Sequence, residues 1–165
     1  MATRSGSVDP GMLLWLLERE AVSEREMAQA LEHESGLAGL AGSADMRTVL
    51  AAAGRREPAA VVAIDVYLHH LRAGIAAMAA ALGGLDALVF TGGVGERSSE
   101  IRARTGEGLG FLGVEIDREQ NRSPALDAEI TASGSSVRTL VLQAREDLEM
   151  ARQTSAVLAA SDTAA

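Results

Sequence analysis

The stretch that decides the fold is Leu85-Asp86-Ala87-Leu88-Val89-Phe90-Thr91-Gly92-Gly93-Val94-Gly95-Glu96. Its first part is a short apolar run bounded by glycines, which predicts a buried β-strand over 85–91. Beyond the glycines, the pattern predicts a helix from Ser98 to Thr105, with Ser98 or Ser99 as its N-cap. The stretch therefore predicts a strand, a tight turn and a helix in succession.

The turn Gly92-Gly93-Val94-Gly95-Glu96 has two interpretations. Backbone N–H groups at the carboxyl end of a strand can face a nucleotide, and glycines leave room for its approach. Alternatively, the glycines serve only a tight connection between strand and helix. The third glycine of the dinucleotide fingerprint is missing at its usual distance. The turn alone leaves both interpretations open.

Capping residues and the periodicity of apolar residues predict helices on both sides of this strand. Asp9-Pro10 starts one helix, and Ser23 with Glu26 has the spacing of a capping box. The glycine-rich segment 35–42 is predicted to be a loop. The remaining predicted elements are helices at 45–53, 59–82 and 146–159, strands at 111–116 and 137–142, and a frayed tail at 161–165. This order predicts an α/β domain whose sheet is flanked by helices.

Composition excludes several classes of function. The chain has 165 residues, 47% hydrophobic and 23% charged, which is typical of a folded domain, and its net charge of -8 argues against a nucleic-acid partner. It has no cysteine and no lysine, which excludes thiolate metal sites and Schiff-base chemistry. The N-terminus lacks the apolar core of a signal peptide, and charged or histidine side chains interrupt the apolar stretch 59–82. We therefore expect a cytoplasmic protein without a membrane partner.

Three further segments carry candidate residues, each with a structural alternative. Asp45 could bind a ribose hydroxyl and Arg47 could lie on a base or hold a phosphate, or the two could act as an N-cap and a solvated first-turn residue. Glu146 and Asp147 follow a predicted strand, and the two carboxylates could hold Mg²⁺ or complement the helix dipole. Arg4 lies among small residues and could stabilise a transferring phosphoryl group, or could lie in a disordered chain end.

Four segments in order resemble the acetate kinase family. Met1–Gly11 is similar to the family's M-G-T-R-S-G followed by D-P-G, and Ser35–Arg47 to its S-G-L…S-x-D-M-R segment. Gly84–Glu96 matches G-L-D-A-L-V-F-T-G-G-I-G-E-N almost residue for residue. Ala144–Leu148 corresponds to the family's N-E-E-L. Together these segments span nearly the whole chain.

The resemblance implies a fold and a set of site residues. The fold is the ribonuclease-H-like, C-terminal nucleotide-binding domain of the superfamily of acetate and sugar kinases, heat-shock ATPases and actin, here over residues 1–160. Arg4 is implied to stabilise the phosphoryl transition state, and Glu146 to bind Mg²⁺. The implied contacts to ATP or ADP are Asp45, Met46, Arg47, Gly93, Val94, Gly95, Glu96 and Arg97.

The implied reaction is reversible transfer of the γ-phosphoryl group of ATP to acetate. The family is also dimeric through this half, so we expect a homodimer. Among the departures from the family pattern, Ala2 replaces a glycine, and Arg97 and Arg145 each replace an asparagine. The replacement at Arg97 puts an adenine-side contact in doubt.

The N-terminal domain of the family, with its acetate pocket and H-x-G-x-G phosphate loop, has no counterpart in these residues. We therefore expect negligible kinase activity from this chain alone. Two alternatives stay open: part of a propionate or butyrate kinase, and a non-catalytic remnant that only binds nucleotide or forms a subunit contact.

Overall fold

The computed structural model describes residues 2–19, 22–125 and 127–163. The chain divides into two compact units, Met1–Met78 and Ala79–Ala165. The single domain over residues 1–160 stays a prediction.

The first unit is helical. Its helices are α1 (Pro10–Arg19), α2 (Glu24–His33), α3 (Gly36–Ala41), α4 (Met46–Gly54) and α5 (Pro58–Leu82). Asp9 caps α1 by accepting from the Met12 N–H at 2.8 Å. The predicted capping box is confirmed, because Ser23 and Glu26 each accept from the other's backbone N–H. Short-range capping therefore accounts for where α1 and α2 begin.

The predicted loop over 35–42 is wrong, since α3 occupies most of it. Glycine disfavours a helix, but two N–H groups here have partners far away in sequence. Ser35 donates to the Thr3 carbonyl at 2.9 Å, and Ala38 to the Ala2 carbonyl at 3.0 Å. Gly42 then ends the helix in the left-handed conformation, with φ 70°. Tertiary hydrogen bonds thus override the local preference.

Helix α5 is long and apolar enough to cross a membrane by length and composition alone. A core helix of a soluble protein meets the same two criteria, so length and composition alone are weak evidence for a membrane span. The helix carries Asp65, His69, His70 and Arg72 within its length.

The second unit combines a small sheet with helices. Its elements in order are β1 (Ala87–Phe90), α6 (Gly92–Arg97), α7 (Ser99–Glu107), a 3-10 turn (Gly110–Leu112), α8 (Arg118–Arg122), β2 (Ala128–Glu129), β3 (Arg138–Val141) and α9 (Glu146–Thr163). The Ser98 hydroxyl caps α7, as predicted, by accepting from the Ile101 N–H at 3.2 Å. Helix α9 extends beyond its predicted end at Ala159. Residues 164–165 of the predicted tail lie outside the described residues.

The described strands form one sheet with the order β1-β3-β2. β1 and β3 are parallel, with Ala87 opposite Arg138 and Phe90 opposite Val141. β2 pairs with β3 in the antiparallel direction. Because parallel strands end at the same edge of a sheet, the turn after β1 and the segment after β3 are brought to one edge.

Two details of the predicted strands are wrong. The segment 111–116 forms only isolated bridges, from Val114 to Val137 and from Ile116 to Thr131. β1 is buried on one face only: Leu88 and Phe90 are buried, whereas Val89 is 46% exposed. An unbroken apolar run therefore does not establish that both faces of a strand are covered.

Candidate functional site

The glycine turn after β1 is the short helix α6, and its three glycines differ in what the fold requires of them. Gly92 has φ 71°, a conformation that favours glycine. A Cβ at Gly95 would lie 3.3 Å from the backbone carbon of Phe90, so even an alanine side chain there would crowd the Phe90 backbone. Gly93 has no positive φ, and a Cβ there would meet no atom within 4 Å. The described structure thus gives no packing or conformational reason for glycine at position 93.

The Glu96 side chain faces the turn and the chain beyond β3. Its Oε1 atom accepts from the Gly92 N–H at 2.7 Å and from the Ala144 N–H at 2.9 Å. The carboxylate thereby satisfies the first N–H of α6. An incoming phosphate would have to compete with this carboxylate for the Gly92 N–H.

Arg102 holds the turn from its other side. It is 1% exposed. Its Nη1 donates to the Gly95 and Glu96 carbonyls at 2.7 and 2.8 Å, and its Nε and Nη2 donate to Asn121. Burial lowers the pKa of Arg102 from its ordinary value. The guanidinium thus satisfies carbonyl groups at the end of α6 that its own helix leaves without partners.

Glu146 begins α9, a short distance after β3. Its carboxylate is exposed and makes no hydrogen bond or ion pair with any described residue. Within the part of the chain that the structure describes, three or more histidine or acidic side chains nowhere converge as a metal-binding cluster would. Glu146 thus presents an exposed carboxylate at the start of α9, beside the exposed Asp147.

Arg145, one of the residues that departs from the family pattern, pairs with Asp127. The Asp127 carboxylate also accepts from the Gln143 N–H at 3.0 Å. The Arg145 guanidinium, followed by that backbone hydrogen bond, lowers the pKa of Asp127. Arg97 is exposed at the end of α6. The Arg145 guanidinium is thus engaged in an ion pair with Asp127, while Arg97 faces solvent.

In the first unit, the segment around Arg4 is ordered by hydrogen bonds. The Ser5 N–H donates to the Leu31 carbonyl at 2.9 Å, and the Thr3 hydroxyl to the Glu32 carbonyl at 3.0 Å. The Arg4 side chain is exposed and has no ion-pair partner among the described residues. The backbone on both sides of Arg4 is therefore fixed, unlike that of a disordered chain end.

The segment Asp45–Arg47 starts α4, and Asp45 is its N-cap. The Asp45 carboxylate accepts from the Arg47 N–H at 2.9 Å and from the Arg47 guanidinium at 3.0 Å. These hydrogen bonds lower the pKa of Asp45 and raise the pKa of Arg47. Met46 is buried, 7% exposed. The local structural roles predicted for Asp45 and Arg47 are thus present, and Met46 belongs to the core of its unit.

Within the second unit, the structure joins the turn Gly93–Arg97 to the segment preceding Glu146, through Glu96. Within the first, no hydrogen bond or ion pair between described residues joins Arg4 to Asp45–Arg47. Sequence reasoning missed Arg102 and Asn121. The feature that could have identified them is the position of Arg102 next to Ile101 on the buried face of α7. A buried arginine there needs hydrogen-bond acceptors.

A sequence model of the Acetokinase family matches residues 1–152. The chain belongs to the acetokinase family. Among its curated relatives, an acetate kinase of Gloeobacter violaceus is 46% identical over 93% of this chain and 38% of its own length. One of Deinococcus deserti is 47% identical over 97% of this chain and 41% of its own length. The chain thus spans about two-fifths of the length of these acetokinase relatives.

Solved structures of the acetokinase family have the same fold. The Porphyromonas gingivalis acetate kinase is 33% identical, with a TM-score of 0.87 over 96% of this chain and 40% of that one. A propionate kinase from Francisella tularensis is 34% identical, with a TM-score of 0.82 over 90% of this chain and 38% of that one. This likeness confirms the predicted α/β class with a sheet flanked by helices.

Proposed function

We propose that this chain is the nucleotide-binding part of an acetate kinase. The complete enzyme transfers the γ-phosphoryl group of ATP to acetate and returns it from acetyl phosphate to ADP. Family membership supports the proposal, and one structural observation carries it for this chain. Gly93 lies beside the carboxyl end of β1, where ligands of α/β folds bind, and the described structure supplies no other reason for a glycine there.

The proposed nucleotide contacts of the turn use backbone atoms in some residues and side-chain atoms in others. Gly93, Val94 and Gly95 would contact ATP or ADP through their backbone, and so would Glu96, whose Oε1 is already engaged. Arg97 would use its exposed guanidinium, which can stack on a base or donate to oxygen. This assigns the turn to the adenosine end of the nucleotide, because the Glu96 carboxylate lies where a phosphate would bind.

The segment starting α4 would supply the other contacts. Arg47 already orients the Asp45 carboxylate, which can accept from ribose hydroxyl groups. The Arg47 side chain is 87% exposed and can also reach a ligand. Met46 would contribute only its backbone, since its side chain is buried.

Arg4 and Glu146 would act on the phosphate end. An arginine on a fixed backbone can stabilise the charge of a transferring phosphoryl group. Glu146 fits Mg²⁺, because this ion uses one or two carboxylates and completes its shell with waters and phosphate oxygens. When bound, Mg²⁺ would neutralise phosphate charge. This chain would supply one guanidinium from its first unit and one carboxylate from its second.

Kinase activity would need groups outside these residues. The 165 residues contain no H-x-G-x-G phosphate loop. We therefore propose that this chain alone binds nucleotide without forming acetyl phosphate. The phosphoryl acceptor of the complete enzyme would be a short-chain carboxylate. Because the chain also resembles a propionate kinase, propionate is a candidate acceptor as well as acetate.

A cytoplasmic homodimer is the proposed state of the protein. Apolar side chains exposed on α9, among them Leu148 and Met150 at 62% and 68%, are consistent with a subunit contact. Light scattering at micromolar concentration tests this, and a monomer would contradict it.

Calorimetry with the purified chain tests the proposed function. We expect heat of binding from ADP with Mg²⁺, and none from inorganic phosphate, which the turn is not built to hold. Absence of an ADP signal would favour the non-catalytic remnant that forms only a subunit contact. A coupled assay should detect no acetyl phosphate from ATP and acetate, and formation at the rate of a complete acetate kinase would contradict the proposed inactivity.

A further inference from the structure

The Glu96 carboxylate joins two parts of the chain that lie far apart in sequence. One oxygen, Oε1, accepts from Gly92 at the start of α6 and from Ala144, 48 residues after Glu96. Ala144 lies just before α9, whose first residue is Glu146. A single side chain thus connects the glycine turn to the segment that presents Glu146.

The segment between β3 and α9 is held along its whole length. Three successive N–H groups donate to three different parts of the second unit: Leu142 to the Phe90 carbonyl at 2.9 Å, Gln143 to Asp127 at 3.0 Å, and Ala144 to Glu96 at 2.9 Å. Two of the acceptors are carboxylates, which form stronger hydrogen bonds than neutral groups. A shift of Ala144 would therefore pull on Glu96.

The other end of this connection is also fixed. The Glu96 carbonyl accepts from the buried Arg102 at 2.8 Å. This hydrogen bond restrains the Glu96 backbone. A displacement of Ala144 would therefore move the Glu96 side chain and, through it, the Gly92 N–H.

We propose that Glu96 is a positioning residue that couples the glycine turn to Glu146, so that nucleotide at the turn and a divalent cation at Glu146 strengthen each other's binding. This inference rests on the proposed function, because it assumes that both ligands bind where that function assigns them. The coupling is reciprocal by thermodynamic linkage. It differs from a contact role, because the carboxylate would act through the Gly92 and Ala144 N–H groups that it accepts from.

The test measures ADP affinity by calorimetry with and without Mg²⁺, for the 165-residue chain and its variants. In the unchanged chain Mg²⁺ should tighten ADP binding by about fivefold or more, within the usual range for coupled sites. Glu96→Ala and Glu146→Ala should each reduce this factor to below about twofold, and the double variant should lower it no further. Glu96→Gln keeps an oxygen acceptor and should retain an intermediate factor. Glu100→Ala, an exposed carboxylate variant on α7, should leave the factor unchanged.

The outcomes separate the inference from the proposed function. No ADP binding by the unchanged chain contradicts both. ADP binding that is insensitive to Mg²⁺, or a Mg²⁺ factor that survives in Glu96→Ala, overturns only the coupling. A purely structural role of Glu96 would weaken ADP binding equally with and without Mg²⁺. If Glu96→Ala does not fold, Glu96→Gln decides: a factor equal to that of the unchanged chain overturns the inference.

A second readout needs no nucleotide. Amide hydrogen exchange at Gly92 and Ala144 should accelerate together in Glu96→Gln, since both N–H groups share one acceptor. Independent changes at the two amides would contradict a common connection.

Discussion

Arg102 donates to the Gly95 carbonyl at 2.7 Å from a side chain that is 1% exposed. The same guanidinium holds Glu96 and Asn121, and these hydrogen bonds all end on carbonyl or amide oxygens. A buried cation therefore anchors the proposed nucleotide turn through backbone groups, without a carboxylate partner among these contacts. This arrangement makes the turn depend on a side chain that is itself buried.

Replacing Arg102 with alanine should destabilise the chain by about 3 kcal/mol or more, since each hydrogen bond to a charged group contributes about 1.5–3 kcal/mol. Arg102→Lys should restore little, because an ammonium group cannot donate to both sides as the planar guanidinium does. Urea unfolding measures both changes. Arg118→Ala, an exposed variant on α8, should stay within about 0.5 kcal/mol of the unchanged chain. Similar stability of Arg102→Ala and Arg118→Ala would contradict the anchoring role.

Gly93 and Gly95 should respond in opposite ways to alanine. Gly93→Ala should preserve stability or raise it by up to about 1 kcal/mol, because the added Cβ meets nothing and alanine favours a helix. It should nevertheless weaken ADP binding. Gly95→Ala should cost about 1–3 kcal/mol of stability, because its Cβ would press on the Phe90 backbone.

Thermal unfolding and ADP calorimetry on the same samples separate the two effects. Full ADP affinity in Gly93→Ala would remove the main structural support for the proposed site.

The helix α3 should depend on a glycine that helix propensity disfavours. A Cβ at Gly39 would lie 2.6 Å from the Glu34 carbonyl oxygen, so Gly39→Ala should destabilise the chain by about 1–3 kcal/mol. Gly74 is exposed within α5, and a Cβ added there would meet no atom within 4 Å. Gly74→Ala should therefore stabilise the chain by up to about 1 kcal/mol. Urea unfolding of the two variants tests this, and stabilisation by both alanines would contradict the close packing of α3.

The pair between Glu129 and Arg138 links β2 to β3, at 2.8 Å, and should make stability depend on acid pH. Hydrogen bonds from Arg138, then from Thr131, lower the pKa of Glu129 from 4.5 to about 2. Because the folded pKa is lowered, this contribution is complete above the unfolded value and is lost as pH falls from 4.5 toward 2.

The Tm difference between the unchanged chain and Glu129→Gln should therefore be positive near neutral pH and should vanish at the acid end of that window. Arg138→Gln should lose the same pH-dependent contribution. The pair is exposed, so added salt should reduce the difference. A difference that persists through the titration would show that Glu129 acts by some means other than its charge.

Much of the local structure could be predicted because its causes lie within a few residues. Ser23 and Glu26 form the expected capping box, Ser98 caps α7, and the apolar run before Gly92 forms β1. The glycine-rich segment of α3 could not be predicted, because its stabilising partners are Ala2 and Thr3.

The candidate site divides in the same way. The positions of the glycine turn and of Glu146 followed from motifs, whereas the hydrogen bonds of the Glu96 side chain did not. A motif identifies which residue stands at a position, but it does not show which atoms that residue faces.

The family, strands β1 and β3, most of the helices and the candidate residues could be predicted from the sequence, because these depend on local patterns and on motif order. Only the tertiary structure decided that β1 and β3 run parallel and so bring the turn and Glu146 to one edge of the sheet. It also decided that Glu96 reaches Ala144 and that Arg102 reaches Asn121, across 48 and 19 residues. The physical reason is distance along the chain: such hydrogen bonds form only where the fold brings remote groups within about 3 Å of each other.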